Sequence, residues 1–520
     1  MIRERFQTLL ESLKTGLYDK DTEIALGLLS ALAGESMLLL GPPGVAKSMI
    51  ARRIRHAFRD ARSFEYLMSR FSTPDEIFGP VSITRLKNED TYERNTRGFL
   101  PEADVAFLDE IWKAGPSILN TLLTIINERT FRNGNQEHPV PLKLLMGASN
   151  ELPAQGEGLE ALWDRFLVRI ISGCVSREED FYRILLEESQ GREEPDWNQV
   201  PTVTPDEYQR WQRDIAHVGI QPAVLQAITL IRKQLRSLHL DAEDESAAKI
   251  REVYVSDRRW QHIMHLLRTS AFVHGRPDVS LPDLVILTYC LWSEPDELEA
   301  VRRLVVHAIL AGARDKVAKL ESAIRVSLKR SRIREAMQQA AREDYHRDDN
   351  KQLFDGFHYR IDQFGNGHTY IFFVDYKNMK DYSRINAPLE GVVYPDPHHP
   401  QRHIIRTMAD HLGLSANGVA VQRVKLYRDD DHIYINGVRY PVHLLPPGSV
   451  QPPIQGYDET EAVDYDARLE SLVDEISSLA DSLTLHHLLV FSDDRREVER
   501  QVKDINHSIA LLRVEVQKMR

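Results

Sequence analysis

The sequence predicts a multidomain α/β protein: a parallel-sheet core and a helical segment, followed by a discontinuous helical bundle that carries an inserted small β-rich domain. Three observations carry that prediction. An apolar run stops at a Gly/Pro-rich turn and passes through a Lys-Ser pair into a basic amphipathic segment, "LLLGPPGVAKSMIARRI", residues 38–54. A second apolar run, "VAFLDE", ends in two adjacent carboxylates. Beyond about Leu353 the composition turns to aromatic, glycine and β-branched residues, and past residue 457 heptad-like spacing returns.

Met37 to Leu40 has the continuous apolar character of a buried parallel strand, and Ile50, Ile54 and Phe58 are spaced four apart, as on a helix. Between them Gly41, Pro42, Pro43, Gly44, Val45, Ala46, Lys47 and Ser48, followed by Met49, match the phosphate-loop pattern G-x-x-x-x-G-K-[ST] at every position but one. The pattern suits a triphosphate. Loop and helix-start N–H groups donate inward, Lys47 supplies a point charge to the β/γ-phosphates, and the Ser48 hydroxyl is a ligand for Mg²⁺. Ala46 stands in the second glycine's place, and its β-carbon predicts a negative φ there.

Val105 to Leu108 reads as a second buried strand, with Asp109 and Glu110 at the C-terminal end, where open α/β sheets place ligands. Asp109 is the candidate for the Mg²⁺ shell opposite Ser48. Glu110 is the candidate to orient and deprotonate an attacking water.

"GPPGVAKS", "FLDEIWKAGPSILNTLLTIINER", "LLMGASNELP" and "ALWDRFLVR" fall in the order seen in AAA+ ATPases of the MoxR group, which this chain resembles, most closely its RavA branch. The resemblance is dense from about Leu38 to Arg169, moderate to about Trp292, and architectural beyond. It implies ATP with Mg²⁺ as ligands and a homo-hexameric ring. It also implies chaperone-like remodelling of protein complexes, with a von Willebrand factor A-domain protein as partner. Asn150 matches the family's sensor 1, which helps place water near the γ-phosphate. Arg165 matches the arginine finger that reaches a neighbour's nucleotide, and Arg169 could share its task. Arg258 is similar to the sensor 2 arginine at the start of a lid helix, with Arg259 as its immediate competitor.

Two segments read as hairpins. Val81–Leu86 and Tyr92–Thr96 alternate around Asn88-Glu-Asp, and Arg132-Asn-Gly-Asn135 carries the Asn-Gly signal. Both resemble inserts by which related rings engage substrates; hairpins that only stiffen the subunit are the alternative.

At 520 residues the chain is long enough for about three domains on a ~150-residue prior. Its apolar content of 42% and charged content of 28% are those of a globular protein. No window approaches the ~18 uninterrupted apolar residues of a spanning helix. The N-terminus reads as an acid-bearing amphipathic helix, not a leader, so cytoplasm is the expected compartment. Cys174 and Cys290 lack zinc-like partners. The net charge of −12 argues for protein partners over nucleic acid, and "RRIRHAFRDAR" reads as the solvated face of one helix.

The expected organisation is a nucleotide-binding α/β subdomain over 1–175 and an α-helical lid over 176–297. A triple-helical module is expected from 298–350 with 457–520, and a β-rich inserted domain over 351–456 is the expected dock for a protein client. A helix is expected within that domain at "RHIIRTMADHLG". His398, His399 and His403 beside Asp396 suggest a metal but read more simply as exposed loop histidines. The two C-terminal helices could instead form a coiled coil between chains. Two other functions stay open: a nucleic-acid-stimulated motor or defence NTPase, and a scaffold that only holds nucleotide.

Overall fold

The computed structural model describes residues 2–154, 158–190, 195–197, 199–240, 249–345, 358–361, 363–364, 368–379, 388–396, 401–407, 422–429, 432–442 and 459–517. They form two units, residues 1–317 with 471–508 and residues 318–470 with 509–520.

The first unit opens with helices α1 (Ile2–Lys14) and α2 (Asp21–Ala33) and strand β1 (Met37–Leu40). The loop then leads into α3 (Lys47–Arg55), whose Ile50 and Ile54 are buried, as their spacing predicts. There follow β2 (Ser63–Leu67), α4 (Pro74–Phe78), α5 (Ile83–Glu89), β3 (Val105–Asp109) and α6 (Pro116–Glu128). The pair β4 (Thr130–Asn133) and β5 (Gln136–Pro139), then β6 (Leu144–Ser149), α7 (Glu160–Arg165) and β7 (Val168–Ile171), complete the core. Its five-stranded sheet has the order β2-β3-β6-β1-β7 and is parallel throughout. Strands β1 and β6 are buried along their whole length, as a sheet covered on both faces requires. Because β6 lies between β1 and β3, with Leu40 opposite Ser149 and Leu108 opposite Gly147, the ends of all three open at one edge.

The first expected hairpin is corrected. Its base is present, in the bridge Val81–Arg94 and in the bond from the Ser82 N–H to the Glu93 carbonyl (2.7 Å). The arms between are not strands. Ser82 caps α5 by accepting the Arg85 N–H, and Asp90 closes that helix at φ +51°. Ile83 and Leu86 are three apart, a helical spacing that breaks the alternation begun by Val81 and Ile83, and Arg85 and Lys87 are good helix formers. The second hairpin forms as β4–β5 around Gly134-Asn135, with φ +62° at Gly134. The Asn133 side chain bonds both backbone groups of Arg94, at 2.6 and 3.0 Å, and so ties the two inserts together.

Helices α8 (Glu178–Gln190), α9 (Pro205–Ala216), α10 (Pro222–Gln234) and α11 (Asp257–Val273) follow the core. A 3-10 segment, Leu281–Tyr289, leads to α12 (Leu298–Ile309). The Ser256 hydroxyl caps α11, and Gly275 beyond its end takes φ +70°. Leu298–Asp344, expected as one helical stretch, breaks at Leu310 into α12, which packs on the lid, and α13 (Ala311–Tyr345). Helix α14 (Phe373–Asn378) belongs to the second unit, and helices α15 (Glu459–Thr484) and α16 (Ser492–Gln517) follow it in sequence. In the first unit Asp494 of α16 is buried and accepts from Arg302 Nε and from the Tyr289 hydroxyl, both at 2.9 Å.

In the second unit a seven-stranded sheet runs His358–Ile361, Thr369–Phe372, His403–Thr407, Leu389–Pro395, Gln422–Arg428, His432–Ile435, Val438–Pro441 in spatial order. A bridge between Ile361 and Val442 brings its first and last strands together around a core that includes Ile371, Val393, Ile405, Leu426 and Ile433. The helix expected from Arg402 onward is corrected for His403–Thr407, which is a strand. Ile404 and Ile405 favour the sheet, and both neighbouring strands pair with it. The short helix α14 (Phe373–Asn378) instead interrupts the aromatic run. His398 and His399 lie outside the described residues, while His403 is on the strand. The Tyr465 hydroxyl of α15 bonds the Ala323 carbonyl of α13. No described helix is long and apolar enough to cross a membrane.

Candidate nucleotide site and the arginine corner

The loop between β1 and α3 is pinned at its start, where the Gly41 N–H bonds the Ser149 carbonyl at 2.9 Å. A β-carbon at Gly41 would stand 2.0 Å from the Ser172 carbonyl oxygen, so only glycine fits there. Gly44 takes φ +84° and Ala46 φ +64°. The expected negative φ at Ala46 is therefore corrected: the loop imposes the left-handed region on a residue with a β-carbon, at a cost of about 1–2 kcal/mol. Strain of this kind marks sites where the surroundings enforce a geometry.

Lys47 is 7% exposed, and its ammonium bonds the Gly41 carbonyl at 2.6 Å and the Pro42 carbonyl at 3.3 Å. Burial pulls its pKa below the ordinary lysine value, against the pull of Asp109 and Glu110. A buried cation resting on loop carbonyls, beneath a turn with open space at Gly44, fits the phosphates of a nucleotide.

Asp109 ends β3 and accepts the Glu110 N–H at 3.0 Å. Glu110 itself is left-handed, φ +52°, and its carboxylate lies 3.2 Å from Lys113 on the next turn. Asn150 follows Ser149 at the end of β6 and is exposed. The structure thus brings residues 41–49, Asp109, Glu110 and Asn150 to one edge of the sheet. Ser48 and Asp109, a hydroxyl and a carboxylate, are oxygen donors suited to Mg²⁺.

Arg165 and Arg258 are placed together at a corner formed by α6, α7 and α11. Arg165 Nε bonds Asn127 Oδ1 at 2.6 Å, and Arg258 Nη2 bonds the same oxygen at 2.8 Å. Arg259 is fully buried and donates to the carbonyls of Asp164, Phe166, Leu167 and Cys290. Arg169 is also buried, 4.1 Å over the Trp163 ring, and donates to the carbonyls of Phe166, Trp163 and Trp292. With their donors engaged, neither Arg169 as an assistant finger nor Arg259 as a sensor is offered to a ligand in this geometry. Burial lowers the pKa of both, and for Arg169 the adjacent Arg259 adds to that effect. Lys113 and Asn127 are the contributors that sequence reasoning missed; Lys113's signal was its place three residues after Glu110.

A family described as the MoxR domain in MoxR-vWA-beta-propeller ternary systems matches residues 4–213, and an AAA lid domain family matches residues 223–305. The uncharacterized protein MJ0079 of Methanocaldococcus jannaschii is 37% identical over 305 residues, 58% of this chain and 74% of its own length. The uncharacterized protein MJ0812 of the same organism is 38% identical over 292 residues, 56% of this chain and 72% of its own. A crystal structure of a Cytophaga hutchinsonii protein, 18% identical, covers 60% of this chain and 94% of that one with a TM-score of 0.46. The chain belongs to the MoxR family of AAA+ ATPases.

Proposed function

We propose that the protein hydrolyses ATP as a homo-hexameric ring of the RavA-like kind and uses the cycle to remodel protein complexes in the cytoplasm, together with a von Willebrand factor A-domain partner. The observation that carries the hydrolytic part is the shared sheet edge: Lys47 under the loop, Asp109 and the strained Glu110 beside it, and Asn150 on the strand between them. Ser48 and Asp109 would hold Mg²⁺, which when bound would supply positive charge against that developing on the phosphates. Lys47 binds the β/γ-phosphates, Glu110 takes the proton of the attacking water, and Asn150 orients that water.

The ring part rests on Arg165 and Arg258. Because they share Asn127, this reading gives both arginines to a neighbour's nucleotide, which departs from a sensor 2 serving its own subunit. The partner is supported by the ternary systems that describe the matched family. The β-rich domain is the proposed dock for a protein client, and nucleic acid is not expected to stimulate turnover.

ATP turnover of wild type and Glu110→Gln, with and without single-stranded DNA, tests the assignment. Loss of turnover with nucleotide binding kept, and no response to DNA, is expected. Retained turnover in Glu110→Gln sinks the assignment of the base, and strong DNA stimulation favours a nucleic-acid motor.

A further inference from the structure

The corner that carries Arg165 is fastened to the lid by two buried guanidinium groups. Arg259, on lid helix α11, reaches the carbonyls of Asp164 (2.8 Å), Phe166 (3.2 Å) and Leu167 (3.0 Å), and on the lid side that of Cys290 (2.9 Å). Arg169, on β7, takes the Trp163 carbonyl (2.9 Å) within the corner and the Trp292 carbonyl in the lid, and the Trp292 indole N–H returns a bond to the Arg169 carbonyl at 3.2 Å. The acceptors at 163–167 bracket Arg165 on both sides. A ring contact adds to the bonds. Trp163 packs against Trp292 at 6.1 Å and against Trp112 at 6.0 Å between centroids, and Trp112 stands two residues after Glu110.

We infer that Trp163, Arg169 and Arg259 are positioning residues that make the corner bearing Arg165 part of the lid, so that a subunit's own nucleotide, through the lid and Trp112, sets where its arginine stands for the neighbour. The inference rests on the ring reading above. A planar guanidinium bridges several carbonyls in one fixed geometry, which a lysine at the same place cannot do. Among the described residues Arg165 is held by Asn127 and Asp164, so its position follows the corner.

The test is complementation in the full-length protein. Trp163→Leu, Arg169→Lys and, as reference, Arg165→Ala are each assayed alone and mixed with Glu110→Gln, whose subunits carry an intact corner but no base. The expected result is unchanged binding of a fluorescent ATP analogue and a fall in kcat of about 10²-fold at little-changed KM, the cost of an ångström of misplacement. Mixing with Glu110→Gln restores turnover to each variant, and Trp163→Phe, which keeps a ring in place, turns over like wild type. Wild-type kcat in both Trp163→Leu and Arg169→Lys overturns the inference. So does rescue of Arg165→Ala without rescue of these two. Failure to rescue Arg165→Ala itself removes the ring reading and the inference with it.

Discussion

The nucleotide edge of the sheet and the corner between α7, β7 and the lid both bury cations, and they hold them in opposite ways. At the edge Lys47 leans on two carbonyls of its own loop, and Gly44, Ala46 and Glu110 around it take φ of +84°, +64° and +52°. At the corner Arg169 and Arg259, 3% and 4% exposed, satisfy carbonyls from the core and the lid, and among residues 160–171 the backbone has no positive φ. A strained backbone around an under-partnered cation is suited to a ligand that completes it. Guanidinium groups whose three nitrogens each donate to a carbonyl, on regular backbone, are suited to carrying a displacement onward. The two regions should therefore respond differently to substitution.

The largest contrast is in rate. Glu110→Gln at the edge is expected to lower kcat by about 10²–10⁴-fold while leaving ATP binding intact, because a positioned base contributes that much. Next comes stability. Arg259→Met removes the guanidinium bond from four carbonyls, of which, among the described residues, only that of Phe166 keeps a second guanidinium donor, Arg169, and is expected to cost at least about 3 kcal/mol in urea unfolding. Lys47→Met, which removes a buried cation held by two carbonyls, should cost far less stability but abolish nucleotide binding. Equal losses of stability in these two variants would erase the comparison.

Saturated packing recurs where Ser270 of α11 and the Leu281–Tyr289 segment meet the C-terminal helices. His274 Nδ1 faces the Ser270 carbonyl at 2.7 Å, and its Nε2 accepts the Leu488 N–H at 3.0 Å. Burial, and then His487 stacked against it, push the His274 pKa down to about 3. The unfolded chain takes up this proton near 6.5, so the stability at stake is fully present above that pH. It is lost as pH falls from 6.5 towards 3, by at most about 1.4 kcal/mol per pH unit. Asp283, whose pKa is lowered by hydrogen bonds and charge from His487 and Arg276 against the opposing effect of burial, acts in the same direction at lower pH. Urea midpoints at pH 7 and 5 should diverge in wild type and move closer together in His274→Asn.

The smallest effect is expected at Ala46. Ala46→Gly removes the β-carbon from a left-handed position and should raise stability by up to about 1 kcal/mol. No gain would mean that the loop relaxes to a negative φ in solution.

Two parts of the edge were legible in the sequence because each is an apolar strand run followed by an abrupt change of residue type, Leu40 to Gly41 and Leu108 to Asp109; Asn150, which follows another polar residue, was singled out through the family resemblance. The conformation at Ala46 was not, since the β-carbon argues locally for negative φ and the rest of the loop overrides it. Glu110 gave no hint of its positive φ for the same reason. The corner was less legible still. Arg258 and Arg259 are adjacent, and Arg165 and Arg169 stand four apart within one motif; which member is buried depends in part on carbonyls some 90 to 120 positions away along the chain. In the second unit the strand at His403–Thr407 depends on pairing with Thr369–Ile371 and Gly391–Pro395, contacts that a local pattern does not carry.

The central claim is that hydrolysis at one subunit's edge needs the corner of another. ATP turnover per subunit, measured against protein concentration for wild type and Arg165→Ala, tests it most directly. The account predicts that specific activity rises with assembly in wild type and stays near zero in Arg165→Ala at every concentration, with nucleotide binding intact in both. Turnover that is independent of concentration and indifferent to Arg165 would contradict it.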